Sequence, residues 1–315
     1  MTTRAEPMGS PDPDAERAEA IRAFQRRDKW RRRLPLLPAL LFIIVVTQVP
    51  FLFNIWFSLQ DWKIVPPRGP DFIGLENFTE GYSNQFFLNS VTISIAMTAS
   101  AVLLSLLIGT ALALLLDRQF FGRGMARTLL ITPFLIMPVV AGLLWKNQIF
   151  NSTFGVLNAV IEGIGFEAVP FVERFPFWAI VTVLVWQWSP FMMLIILAGL
   201  QGQPTEILEA ARVDRASGRG IFTQITLPLL RPYLELGVIL GSIYVLQVFD
   251  QIEVMTGGGP GSTNVPYFVF QRSIGGGWDF GQAAAYSIIV VIASIIIATL
   301  ALRVLSSLFQ RQEPV

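Results

Sequence analysis

Residues 177–200 read FWAIVTVLVWQWSPFMMLIILAGL, twenty-four positions without a Lys, Arg, Asp or Glu. At about 1.5 Å per helical residue, such a block can cross the roughly 30 Å hydrocarbon layer of a bilayer. It is one of six. The others lie at about 34–59, 88–116, 127–147, 233–254 and 283–305. In lipid every backbone polar group must be bonded inside the protein, so only helices or closed barrels span it. These continuous blocks lack the two-residue alternation of barrel strands. The expectation is an all-α membrane protein of six transmembrane helices.

Composition points the same way. Of 315 residues, 53% are hydrophobic and 14% charged, against about 25% charged in a soluble domain. Mean hydropathy is +0.57. There is no His and no Cys, which removes His/Cys metal sites, His-based triads and thiol nucleophiles. A net charge of +1 argues against a nucleic-acid partner. The lysines are Lys29, Lys63 and Lys146, and none stands in a Gly-Lys-Ser/Thr phosphate loop. Any ATP-driven work therefore relies on another chain.

Lys and Arg set the orientation. With the N-terminus inside, eighteen of the 23 basic residues fall on the inner side, and Lys63, Arg68, Lys146, Arg174 and Arg272 fall outside. Both termini are expected to be cytoplasmic. Residues 1–33 read as a basic tail, partly disordered or an interfacial helix, and not as a cleaved signal peptide; 34–310 is the membrane domain. The outer segments, about 60–87, 148–176 and 255–282, are aromatic and rich in Gly and Pro. Trp62, Trp178 and Trp278 sit near predicted interfaces, where indoles anchor.

One inner loop is more than a connector. Residues 201–231 read QGQPTEILEAARVDRASGRGIFTQITLPLLR. Pro204-Thr205-Glu206 looks like a helix start, and Ile207, Leu208, Ala210, Ala211 and Val213 supply small and apolar positions. Ser217, Gly218 and Gly220 are expected to break the helix. Ile221 to Leu227 restart an apolar pattern, with Pro228 and Pro232 marking entry to the next span. The loop reads as helix–turn–helix lying flat against the membrane. Glu206 and Glu209 could pair with a partner's Arg, and the Ala-Ala face admits a close backbone. The plainer alternative is an amphipathic helix that packs only on its own bundle.

This loop resembles the EAA motif of permease subunits in binding-protein-dependent ABC importers. Glu209-Ala210-Ala211 is followed by Ile225, Leu227 and Pro228 at the motif's spacing, with Asp214, Ala216 and Phe222 where sugar-importer relatives carry them. Arg215 replaces the motif glycine; Gly218 and Gly220 just beyond are expected to supply the turn. Phe72-Ile73-Gly74-Leu75-Glu76-Asn77-Phe78, the set Pro133, Pro138, Trp145, Phe150, Gly155 and Asn158, and Thr256-Gly257-Gly258-Gly259-Pro260 with Thr263 are similar to the carbohydrate branch of maltose, glycerol-phosphate and polyol type.

The resemblance implies a non-catalytic, multi-pass subunit of the bacterial cytoplasmic (inner) membrane. It implies four kinds of neighbour: a second homologous permease, a dimer of ATP-binding subunits, an extracytoplasmic substrate-binding protein, and membrane lipid. No cofactor is expected on this chain; ATP and Mg belong to the partner ATPase. Coupling to it would rest on Glu206, Glu209, Ala210, Ala211, Asp214 and Gly218.

Polar residues inside spans are costly and often functional. The block quoted first carries Trp186, Gln187, Trp188, Ser189 and Pro190, with Pro190 expected to disturb the helix. The fifth block carries Tyr244, Gln247 and Gln251 at i, i+3 and i+7, hence on one helical face, with Asp250 near its outer end. Sugars stack on aromatic rings and need two-way hydrogen-bonding groups, so these residues are the expected solute pathway. A helix–helix hydrogen bond is the bland alternative for any one of them. A membrane-embedded enzyme finds no credible catalytic set. A stand-alone ion-coupled carrier, with Asp250 as its acid, fits poorly without an internal repeat.

Overall fold

The computed structural model describes residues 34–310; the expectations for the tail 1–33 and for Arg311 lie outside them. The chain divides into two units at Trp56/Phe57. Most of α1 (Leu37–Ser58) falls in the first, a 22-residue apolar helix with Pro50 inside it. Its Thr47 hydroxyl donates to the Ile43 carbonyl at 2.7 Å, which hides a polar group along the helix.

The second unit opens with an antiparallel hairpin of β1 (Gln60–Lys63) and β2 (Arg68–Phe72), paired Gln60 to Phe72. The expected all-α chain therefore carries one small sheet, in an outer segment where Gly and Pro interrupt helix. Then come α2 (Glu76–Ser83) and the 33-residue α3 (Gln85–Asp117). Asn84 caps α3, accepting from the Phe86 and Phe87 amides. Next are α4 (Arg123–Leu135), α5 (Pro138–Ile149), α6 (Val156–Gly163), α7 (Phe171–Arg174) and α8 (Pro176–Gln201). The chain closes with α9 (Thr205–Val213), α10 (Gly218–Leu246), α11 (Asp250–Thr256), α12 (Val265–Ser273) and α13 (Phe280–Gln310).

The core gathers around α8, whose Ile180, Leu184, Met192, Met193 and Ile196 are fully buried. Helix α3 lies along it. Lipid offers no hydrophobic drive between helices, so van der Waals fit must supply the cohesion, and small residues allow it. Gly109 of α3 is one such place: a Cβ there would sit 2.6 Å from Met192 Cβ and 2.8 Å from the Met193 nitrogen.

The spans depart from six continuous blocks. Among the described residues α1, α3, α8 and α10 are long and apolar enough to cross a membrane unbroken. The block at 127–147 is not one rod: α4 and α5 meet at 99°, and together they make a fifth candidate. In α13 the described apolar stretch is the shorter Phe280–Ile296. The fifth block also shifts. Its helix begins at Gly218, ends at Leu246, and leaves residues 250–254 to the separate α11. Pro190, by contrast, sits inside an uninterrupted α8.

Candidate functional site

The bend between α4 and α5 follows from Met137-Pro138. The proline ring keeps the residue before it out of the helical region, and Ile136 and Met137 are extended, at φ −75°, ψ 134° and φ −57°, ψ 136°. The break frees the Ile136 carbonyl. In a membrane interior that group needs a partner, and Gln187 of α8 donates its amide to it at 2.7 Å. Gln251 of α11 in turn donates to the Gln187 oxygen at 2.9 Å. Both glutamines are buried, at 4% and 3% exposure.

A second break separates α10 from α11 at Gln247–Phe249, and here the Asn264 amide donates to the Val248 carbonyl. Asn264 also accepts from the Tyr267 amide, capping α12. Lys146, expected on the outer side, gives its ammonium to the Val254 carbonyl near the end of α11 at 3.0 Å.

Between the two breaks lies a cavity of about 380 Å³, within the usual size for small-molecule sites. One wall is aromatic: Trp188 stacks on Tyr244 with ring centres 5.5 Å apart, and Phe134 meets Trp188 edge-on at 5.7 Å. Gln187, Gln251, Gln247 and Asp250 supply the polar lining. Six of the seven expected pathway residues thus surround one space. The route there differs from expectation: α10 has ended, so Gln251 stands on a different helix from Tyr244, and Gln247 lies in the break between them. Trp186 does not join them. Consecutive helical residues point about 100° apart, and Trp186 packs edge-on against Trp145 at 5.6 Å.

The inner loop is built around α9. Its face is split: Glu206, Glu209 and Ala210 are exposed, while Ala211 is 9% exposed. The expected Ala-Ala face is therefore half used up, since Ala211 is covered by its own chain. The helix ends at Val213, the last of the expected helical positions, but a different residue turns the chain. The Ala216 amide donates to the Ala211 carbonyl and the Arg215 amide to Arg212, a Schellman closure. Its left-handed residue is Arg215 itself, at φ 58°. Gly218 and Gly220 do not make the turn: Ser217 caps α10 by accepting from the Gly220 amide at 3.1 Å, and Gly218 opens that helix. No separate second loop helix forms; α10 continues without a break through Pro228 and Pro232, widened into one π-type turn at Phe222–Thr226. Gln203 donates to the Thr226 carbonyl at 3.1 Å and pins the loop at its base. Asp214 closes α9 and is exposed.

On the outer segments, Asn77 donates to the Ser58 and Gln60 carbonyls, both at 2.9 Å. Lys63 bridges Asp279 at 3.2 Å and Asp61 at 3.5 Å. Burial draws the Lys63 ammonium down, but the two carboxylates outweigh it and hold the group above its ordinary value. Burial, with Glu253 taking its hydrogen bond, pushes the Tyr267 hydroxyl up to about 12. Gly258, at φ 69°, lies so close under the Tyr267 ring that no Cβ fits.

Phe134, Asn264 and Gln203 are not singled out by any local pattern in the sequence. Met137-Pro138 signals the first break; nothing local marks the second.

The sequence model described as "binding-protein-dependent transport system inner membrane component" matches residues 121–312. The chain is similar to a probable ABC transporter permease of Sinorhizobium fredii, 35% identical over 81% of this chain and 84% of the relative. It is also similar to the trehalose/maltose transport system permease of Thermococcus litoralis, 33% identical over 85% and 91%. Its fold matches a crystal structure of a bacterial ABC transporter involved in the import of the acidic polysaccharide alginate. That match has TM-score 0.77, 19% identity, and covers 91% of this chain and 99% of that one.

Proposed function

The chain belongs to the binding-protein-dependent transport system inner membrane components, and from that premise we propose that it is the permease subunit of an ABC importer for a sugar, polyol or glycerol derivative. Asp250 is then part of a solute cavity and not the ion site of a stand-alone carrier. The solute class is supported by the trehalose/maltose relative and by the cavity's chemistry. Aromatic faces suit sugar C–H surfaces and side-chain amides suit hydroxyls.

The observation that carries the coupling role is α9. It presents Glu206, Glu209 and Ala210 outward on a loop fixed at one end by Gln203 and closed at the other by the Arg215 turn. A pair of ATPase subunits, holding ATP and Mg, would grip this helix on the cytoplasmic side. A second permease would complete the solute path, and a binding protein would deliver from outside. The bent α4–α5 pair and α13 would complete six crossings, with both termini cytoplasmic. Moving a two-state population from 1:99 to 99:1 takes about 5.5 kcal/mol, and a rigid docked helix transmits such a bias where a loose loop dissipates it.

The test is uptake in vesicles containing the whole importer. Glu209→Ala should lower ATP-driven sugar uptake at least about tenfold, the worth of one charge-assisted hydrogen bond, while the permease still folds. Undiminished uptake, or a complex in which α9 meets no ATPase, would sink the reading.

A further inference from the structure

The cavity between Trp188, Tyr244 and Asp250 is lined by a single carboxyl side chain of this subunit, that of Asp250. Its lining includes the Asp250 carboxylate and no lysine or arginine. Among the described residues no basic side chain pairs with Asp250. The other polar groups there are neutral, and Gln187 and Gln251 are already engaged with Ile136 and with each other. Gln247 is partly turned back, donating to its own helix at the Ile243 carbonyl, 2.8 Å away.

These facts have opposite consequences for two kinds of solute. A carboxylate offers several acceptor sites, and hydroxyls of a neutral sugar are donors that satisfy them. A solute bearing its own carboxylate, sulfonate or phosphate meets like charge, with no cation from this subunit's lining to offset it. Like unit charges a few ångströms apart in a half-wet site repel by an amount equivalent to about one decade in affinity. The fold does not decide the matter, because a transporter of the same fold takes part in importing an acidic polysaccharide.

Resting on the reading of this cavity as the solute site, we infer that Asp250 is a charge filter: the permease passes neutral polyhydroxylated solutes and refuses anionic ones. Selection here is separate from whatever the binding protein selects upstream.

The absence of cysteine allows a direct test. Gln247→Cys places a single thiol of this subunit at the cavity, in the complete importer purified with its partner subunits. Labelling of that thiol by a neutral maleimide is followed with methyl glucoside or methyl glucuronoside present, which differ by one CH2OH against one carboxylate. The neutral glycoside should slow labelling, and the glucuronoside should need about ten times the concentration. Adding Asp250→Asn should bring the two within about threefold.

A second reading needs no sugar. Relative to a free thiol, a cationic methanethiosulfonate should react about tenfold faster than an anionic one, and Asp250→Asn should abolish the preference. Equal protection by both glycosides with Asp250 present overturns the filter while leaving the cavity as a solute site. Protection by neither, at any concentration, overturns both.

Discussion

The amide of Gln251 donates to the side-chain oxygen of Gln187 at 2.9 Å, and Gln187 passes its own amide to the Ile136 carbonyl at 2.7 Å. Two residues that look like solute ligands in the sequence are therefore first of all a clasp. They tie α8 and α11 to a carbonyl at the Met137-Pro138 bend, where the α4 helix has ended. The cavity exists because that bend is tolerated, and the bend is tolerated because Gln187 is there.

Gln187→Leu should consequently destabilise the permease by about 1–3 kcal/mol, since it strands both the Ile136 carbonyl and the Gln251 amide. Gln251→Leu strands only the Gln187 oxygen and should cost about 0.6 kcal/mol, the usual worth of a hydrogen bond between membrane helices. The double substitution should fall short of the sum, because the two act through one network. Thermal unfolding in detergent measures all three, and strictly additive losses would separate the residues.

Ala210 and Ala211 should behave oppositely although they are neighbours. Ala210 is exposed and Ala211 buried. Ala211→Leu overpacks the chain's own interior and should cost about 1–3 kcal/mol of stability. Ala210→Leu should leave the thermal midpoint within about 0.5 kcal/mol yet weaken capture of the ATPase. Unfolding curves beside co-purification yields would reveal the split, and a reversal of the two phenotypes would refute the assigned faces.

Arg215 occupies a left-handed position that glycine fills without strain. Arg215→Gly should relieve about 1 kcal/mol of local cost, partly offset by the greater freedom of glycine in the unfolded chain. Arg215→Val, β-branched at φ 58°, should loosen the turn. Hydrogen exchange at the Arg215 and Ala216 amides, which close the Schellman motif, should slow or hold steady in the first variant and quicken in the second.

Alkaline pH should unlock the outer segments. The Lys63 value is raised in the fold, so its contribution is complete below the unfolded value of 10.5 and is lost as pH climbs through the folded one. Tyr267, raised from 10.0 to about 12, works in the same direction: its stabilisation is whole below pH 10 and fades between pH 10 and about 12. The thermal midpoint should fall across that window. The fall should be shallower in Tyr267→Phe, and shallower also in Lys63→Met; an unchanged slope in both would contradict the assignment.

Much of this molecule can be read directly from its chain. Apolar blocks locate α1, α3 and α8 because length and the absence of charge are local properties. Glu206 to Val213 declare α9 for the same reason, through a helix start and small residues in sequence. The breaks are harder. Met137-Pro138 announces the first, but the gap at Gln247–Phe249 has no proline or glycine, and it depends on Asn264 arriving from sixteen residues away. The partners of Gln187 lie 51 and 64 residues distant, beyond the reach of any periodicity. That is why Tyr244, Gln247 and Gln251 look like one helical stripe and turn out to converge from two helices and the break between them. Arg215 shows the converse: the residue type argues against a turn there, and the Schellman closure imposes one.

One consequence follows from the continuity of α10. Its 29 residues run from Gly218, beside the loop, to Leu246, two residues past Tyr244, a length of roughly 43 Å. Its helical stretch is unbroken from end to end, and its π-type turn is braced by Gln203 at Thr226. With α9 gripped as proposed, α10 would serve as a connecting rod, carrying a shove at its Gly218 end to the aromatic wall beside Trp188.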